Sequence, residues 1–375
     1  MAFSRAMVAL MGLVLAALLF PAAALSSRRP NQLISMTTDG QYHSTRPVVT
    51  IADGLTADYH DVSCPDLRGV VRTAAVEALH GDITIAADLL RMFFHDCFPQ
   101  GCDASILLLG TPWSEMRMPP NLSLDIRRRV AFLMEDIRAK VHEACGPTVS
   151  CADIMALATH DAVVASGGKP YHVPLGRLDS FEPAPLRFVE ELPPPTFSID
   201  QLIAAFKSHS LDEKDLVVLS GAHTIGKARC ATFSDRFPNS DSDDFVRKLQ
   251  DNCTADMYRR QDLDVTTPEE FDNKYYINLK QGKGVLTSDV QLLLNETTEG
   301  YVNDFADNEW WFWNQFGSSM SKMGMLQGPQ AVLLISSYVQ PGRCLLLAFC
   351  FLQMGSFFLD SSKRRSHSNY VEDDC

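Results

Sequence analysis

A mostly α-helical fold is predicted by three observations. First, Leu89 to Leu108, LLRMFFHDCFPQGCDASILL, opens as an apolar helix with no Gly or Pro before Pro99. Second, Val70 to Leu79 is amphipathic, and Ile126 to Ala144 and Ser150 to Val164 repeat their apolar residues at helical spacing. Third, 375 residues are enough for one large domain or two lobes with a substantial core. At 46% hydrophobic and 21% charged residues, the chain reads as globular and soluble. A net charge of −13 argues against nucleic acid and anionic membranes as main partners.

The chain opens with a stretch that reads as a secretory signal over residues 1–24. Arg5 supplies the positive end, Met7 to Phe20 the apolar run, and Ala22-Ala23-Ala24 the cleavage site. Residues 25–54 are polar and aperiodic and read as a loose leader. Export permits disulfides among the ten cysteines, although spacing alone does not give their pairing. There is no CxxC…CxxC pair, so a zinc site has little support.

In the central stretch, Arg91 and His95 are four apart and share a helix face. Asp96 lies about 100° further round. The helix is expected to break at a Pro99-Gln100-Gly101 loop pinned between Cys97 and Cys102, after which Asp103 and Ser105 add oxygen ligands. A neutral His can take a proton from a weak acid and return it to a leaving oxygen. A fixed Arg can stabilise charge as an O–O bond breaks. Asp96, Asp103, Ser105 and loop carbonyls suit Ca²⁺, which takes six to eight oxygens. For an isolated His-Asp pair, a surface helix with an ordinary disulfide loop is the better reading. The whole string reverses that preference, because every polar residue has a consistent role.

This string closely resembles the distal-haem signature of secreted plant (class III) haem peroxidases. The resemblance makes Arg91 and His95 the distal catalytic pair and Phe94 a haem contact. It makes Asp96, Gly101, Asp103 and Ser105 distal calcium ligands, with the carbonyl of Pro99 where the family usually has Val. Glu115 falls where an acid supports that calcium through water. Asn121 falls where the family hydrogen-bonds the distal His, leaving the other ring nitrogen basic. Asn121 could instead be a turn residue, or carry a glycan on its Asn-Leu-Ser sequon.

Further along, Asp212 to Leu219 reads as a short helix running into Ser220-Gly221-Ala222-His223-Thr224-Ile225-Gly226. A lone His is more often a core or cap residue, but flanking glycines let backbone approach a flat cofactor. The segment resembles the family's proximal haem motif, which makes His223 the axial iron ligand. Asp289 matches the carboxylate that accepts the other imidazole proton; the plainer reading is an N-cap before Val290 to Leu294, and both roles can hold together. Thr224, Asp264, Thr267 and Asp272 resemble the proximal calcium site, assisted by Thr266 and the Glu270 carbonyl, against a plain turn with a helix cap. Pro193 falls where a carbonyl contacts aromatic donors, in the long Gly- and Pro-rich connection 167–198. Phenylalanines lining the donor entrance in some members appear as Pro119, Thr196 and Thr232. Asp153 and Arg177 match a buried ion pair, or are a first-turn acid and a loop Arg.

The resemblance covers residues 55–330 and implies a two-lobed helical haem peroxidase fold, with haem b between distal and proximal lobes. It implies one haem b and two Ca²⁺, and disulfides Cys64–Cys145, Cys97–Cys102 and Cys230–Cys253. The reaction implied is reduction of H₂O₂ and one-electron oxidation of small phenolic donors, by a secreted monomer of the cell wall or, alternatively, the vacuole. Residues 331–375 depart from the family. The fourth bridge would join Cys151 to a C-terminal cysteine, for which Cys344, Cys350 and Cys375 are the candidates. Cys344 to Leu359 is apolar but falls short of the ~20 residues a span needs. The tail reads best as a product of altered splicing, with an anchor or a vacuolar extension as alternatives. Rival functions are a peroxidase-like protein that loads no haem, a calcium-binding wall protein, and a metal hydrolase using His95, Asp96 and Asp103.

Overall fold

The computed structural model describes residues 50–51, 54–109, 112–121 and 128–327. The expected signal, nearly all of the leader, and the tail with Cys344, Cys350 and Cys375 lie outside the described residues. Helix dominates what is described. In chain order it comprises β1 (Thr50–Ile51), α1 (Leu67–Gly81), α2 (Ile85–Gln100), α3 (Arg128–Cys145), α4 (Cys151–Ala165), α5 (Leu186–Val189), α6 (Ile199–Lys207), α7 (Glu213–Ser220), β2 (Lys227–Arg229), α8 (Asp244–Cys253), β3 (Arg260–Asp262), α9 (Lys274–Lys280), α10 (Thr287–Gln291), α11 (Glu296–Asp307), α12 (Glu309–Met323) and β4 (Leu326–Gln327). The strands form two short antiparallel pairs, β1 with β4 and β2 with β3. Among the described residues no helix is long and apolar enough to cross a membrane.

Helix α4 is the centre of the first half. Every residue from Cys151 to Val163 is buried. A helix apolar on all sides must be enclosed by others, and α1, α2 and α3 surround it. Its start is well specified: the Ser150 hydroxyl accepts from Asp153 N (3.1 Å), and Asp179 accepts from Cys151 N and Ala152 N. In the second half, α6, α7, α8, α11 and α12 each begin at a side-chain cap: Ser198, Asp212, Asp243, Asn295 and Asn308. Such caps satisfy amide groups that the helix itself leaves open.

The break expected at Pro99 does not occur. Helix α2 continues through Pro99 to Gln100, and Gly101 ends it at φ 98°. Proline removes one backbone donor, but tertiary constraints hold the last turn: the Cys97–Cys102 disulfide, a bridge from Gly101 to Gln327, and a bond from Cys102 N to Leu326 O. The long connection 167–198 is irregular apart from α5. Cys64–Cys145, Cys97–Cys102 and Cys230–Cys253 are bonded. Cys151 is disulfide-bonded as well, and its expected C-terminal partner lies outside the described residues.

Asp153 and Arg177 form a buried ion pair (2.9 Å, both at most 1% exposed). Arg177 also donates to Gly324 O and Pro174 O. His60, unremarked in the sequence, joins the cluster at 2.9 Å from Asp153.

Candidate active site

Helix α2 delivers Arg91, Phe94 and His95 to one cavity of about 960 Å³, whose other wall carries His223. His95 is buried. Its Nδ1 lies 2.8 Å from Asn121 Oδ1, so the ring donates there. The other ring nitrogen, Nε2, therefore holds the lone pair, and Arg91 Nε approaches it at 3.4 Å. Burial, and then the Arg91 charge, lower the imidazole pKa to about 3; the Asn121 bond offsets part of this. His95 is thus neutral across the working range. Burial also lowers Arg91 to about 10, with Arg229 and Arg260 adding to the shift against Asp88, and the group stays cationic at neutral pH.

The sign of the His95 shift gives a testable pH dependence. Its folded pKa lies below the ordinary 6.5, so the unfolded chain binds the extra proton first. Its contribution to stability is therefore complete above 6.5 and is lost as pH falls toward 3. The Nε2 nitrogen is expected to stay unprotonated from neutral pH downward and to take a proton only near pH 3. Imidazole NMR shifts of the folded protein against pH would measure it. A transition centred near 6.5 would show a solvated imidazole.

Asn121 is fully buried in a short turn, Pro119–Asn121. Its Nδ2, the atom a glycan would occupy, is buried without a partner. The folded protein therefore leaves no room for a glycan there.

On the opposite wall, His223 lies in the one-turn 3₁₀ segment Gly221–Thr224 after α7. Its Nδ1 is 2.8 Å from Asp289 Oδ1, which leaves Nε2 as the free ring nitrogen. Tyr275, which sequence reasoning missed, donates to the same carboxylate oxygen (2.9 Å). Asp289 holds the imidazole and also helps cap a helix start, though not from the N-cap position itself. It is the third residue of α10, and its Oδ2 accepts from Leu286 N. Gly221 lies where a Cβ would meet Tyr276 Oη at 2.2 Å, so a side chain there would push the His223 turn off its seat. Pro193 lines the cavity, as do Pro119, Thr196 and Thr232, the positions noted for donor access.

Two oxygen clusters flank this cavity in sequence. In the first, Asp96 and Ser105 are buried, as is Glu115, and Asp96 Oδ1, Ser105 Oγ and Glu115 Oε2 have no hydrogen-bond partner. Asp96 Oδ2 accepts from Ala104 N, Asp103 from Gln100 Nε2 and Ser105 N, and Glu115 Oε1 from Ala184 N. Pro99 is buried in the last turn of α2 and Gly101 follows it. Burial pushes Asp96 and Asp103 above the usual carboxylate range, the Asp103 and Glu115 charges adding at Asp96. Burial takes Glu115 to about 7. Acids this buried and this close need a cation to stay ionised.

In the second cluster, Thr224 Oγ1 lies 3.3 Å from Asp264 Oδ2, 3.5 Å from Glu270 O and 3.2 Å from Asp272 Oδ1. Thr267 donates to Asp272 Oδ2. One hydroxyl proton cannot serve three acceptors, so these oxygens also fit a shared cation. The Thr266 hydroxyl points elsewhere, to Asn278, and Asn278 Nδ2 donates to Asp264, a support the sequence did not suggest. Among the described residues no three His, Cys, Asp or Glu side chains converge at metal-ligand spacing. Both clusters instead mix carboxylates with hydroxyls and carbonyls, a donor set suited to Ca²⁺ rather than to softer metals.

The cavity fits haem. Its volume is that of a cofactor site, an imidazole with one free nitrogen forms part of one wall, and a basic imidazole with an arginine forms part of the other. A mostly helical fold with such a cavity defines a haem peroxidase. A family model described as peroxidase matches residues 68–308. Cationic peroxidase SPC4 of Sorghum bicolor is 46% identical over 287 residues, covering 74% of this chain and 78% of that protein. Peroxidase 12 of Arabidopsis thaliana is 42% identical over 284 residues, covering 74% and 79%. Peroxidase 42 of Zea mays is 42% identical over 284 residues, covering 75% and 87%. The chain belongs to the plant class III peroxidases. It is an enzyme that reduces hydrogen peroxide at the expense of a donor, and the non-catalytic readings are not favoured.

Proposed function

We propose a secreted peroxidase of small phenolic donors that works as a monomer with one haem b and two Ca²⁺. Bound haem supplies the iron at which peroxide is reduced and the oxidising equivalents that donors remove. His223 would hold that iron through Nε2, and the Asp289 carboxylate on Nδ1 would raise its donor strength. Phe94, which lines the cavity, would pack against the haem. His95 Nε2 takes the peroxide proton and returns it to the departing oxygen, while Asn121 keeps the proton on Nδ1. Arg91 stabilises the charge that develops. Phenols meet the Pro193 carbonyl at the cavity rim.

Asp96, Asp103, Ser105 and the carbonyls of Pro99 and Gly101 would hold the distal calcium, with Glu115 behind them. Thr224, Asp264, Thr267 and Asp272 would hold the proximal calcium. The observation that carries this reading is one cavity bearing two differently held imidazoles: His95 bonded to an amide, His223 to a carboxylate. The N-terminal signal and the ten cysteines support export to the cell wall.

The test is an absorption spectrum of the folded protein with and without an equivalent of hydrogen peroxide. A haem band that shifts with peroxide and returns with a phenol is expected. A folded protein without that band would overturn the reading. Chelating calcium is expected to destabilise the fold by about 3 kcal/mol per site, judged against a hundredfold excess over Kd. It should also slow the peroxide reaction, because Asp96 adjoins His95 on α2. Thermal melts and rates with added EGTA measure both. No change in either would remove the calcium sites from the proposal.

A further inference from the structure

A chain of aromatic rings runs from the surface of α11 and α12 to the Asp289 side of His223. Trp311 is half-buried beside Trp310, which is 66% exposed. The Trp311 ring lies 4.9 Å from Phe305, Phe305 lies 5.3 Å from Tyr276, Tyr276 5.0 Å from Tyr275, and Tyr275 6.0 Å from His223. Tyr301 stacks on the same Phe305 ring at 6.3 Å. Phe305 and Tyr276 are fully buried. The phenol at the inner end, Tyr275, donates to Asp289, the carboxylate that holds His223.

The protons along this chain set what each ring can do. Tyr276 donates to Val217 O and Val218 O, which cannot accept its proton outright, so this ring and Phe305 serve as a bridge. Tyr275 faces a carboxylate that can take a proton and give it back. Trp311 reaches solvent, where an indole proton can leave. Redox-active groups with somewhere to put a proton thus sit at the two ends of the bridge.

We propose that Trp311 is a surface oxidation site, joined to the haem site through Phe305, Tyr276 and Tyr275, for electron-rich donors too large to enter the cavity. The proposal rests on the haem reading above. Once hydrogen peroxide has withdrawn two electrons from the haem site, one electron returns along the rings from Trp311. The indole becomes a radical and its Nε1 proton passes to solvent. A donor docked outside then gives one electron, a proton is taken back on Nε1, and the donor leaves as its one-electron oxidised form. Along the chain Asp304 and Glu309 neighbour Trp311, and Asp307 is paired with Lys280 (3.2 Å), which leaves a small acidic excess that favours neutral or cationic donors over anionic ones. The small-donor route at Pro193 is left untouched.

The probes are guaiacol, a small phenol, and ferrocytochrome c, a large cationic one-electron donor. In haem-loaded Trp311→Phe, peroxide-driven oxidation of ferrocytochrome c is expected to fall at least about tenfold, equivalent to about 1.4 kcal/mol, with guaiacol turnover unchanged. Spin trapping of the peroxide-treated wild type, followed by peptide mass spectrometry, is expected to place an adduct on Trp311. Unchanged ferrocytochrome c oxidation in Trp311→Phe, or an adduct only at other residues, overturns the proposal even if guaiacol is oxidised. Absence of both haem band and guaiacol turnover in the wild type overturns the functional reading, and this proposal with it. If Trp311→Phe does not fold, the wild-type adduct decides.

Discussion

Replacing His95 by Leu is expected to slow the reaction with hydrogen peroxide by about 10²–10⁴-fold, the usual contribution of a positioned acid–base group. Haem binding should persist, because His223 and Asp289 lie on the other wall. The effect has two sources. The lone pair on Nε2 is lost, and Asn121 Oδ1 is left buried without its donor. That orphaned carbonyl costs about 1–3 kcal/mol of stability by itself, so the rate must be read beside a melt of the same variant. Asn121→Ala separates the two contributions. It keeps the imidazole but frees its tautomer, and should cost less in rate than the loss of the ring. A His95→Leu variant that reacts with peroxide at the wild-type rate would remove His95 from the chemistry.

Arg177→Leu is expected to destabilise the fold by about 3–5 kcal/mol, because it strands a carboxylate in the interior. Asp153 is fully buried and accepts from Gly176 N, Arg177 N and Arg177 Nη1. The backbone bonds and His60 remain after the substitution, while the permanent cation goes. Arg177 also ties the loop before it to Gly324 at the end of α12. The urea midpoint should fall with m unchanged. Removing both charges with Asp153→Asn and Arg177→Leu should cost less than Arg177→Leu alone, because no uncompensated charge is left. A double variant less stable than the single one would assign the stability to packing rather than to charge.

The three disulfide pairs came through the resemblance to the family, whereas the sequence by itself determined the helical character and the residue types of the site. These are local or patterned properties. Arg91 and His95 share a face because four residues make about one helical turn, and Asp96 turns away for the same reason. The string around them is specific enough to name the family from its own residues, and residues 68–308 match it throughout.

Only the tertiary structure decided the rest. Pro99 reads as a helix breaker, yet α2 runs through it, because the disulfide and the backbone bonds to Leu326 and Gln327 hold a turn that local propensity disfavours. Asn121 could be a turn, a glycan site or a partner of His95. Its burial and a 2.8 Å contact with a residue 26 positions away chose the last. Tyr275, Asn278 and His60 carry no motif of their own and acquire partners only because distant segments meet. The ring chain from Trp311 to His223 draws on residues from α9, α11 and α12, which no periodicity relates. Spacing along a chain reports which side chains share an element. Which elements share a cavity or a carboxylate is set by packing, where the neighbours of each buried group are chosen by the whole fold.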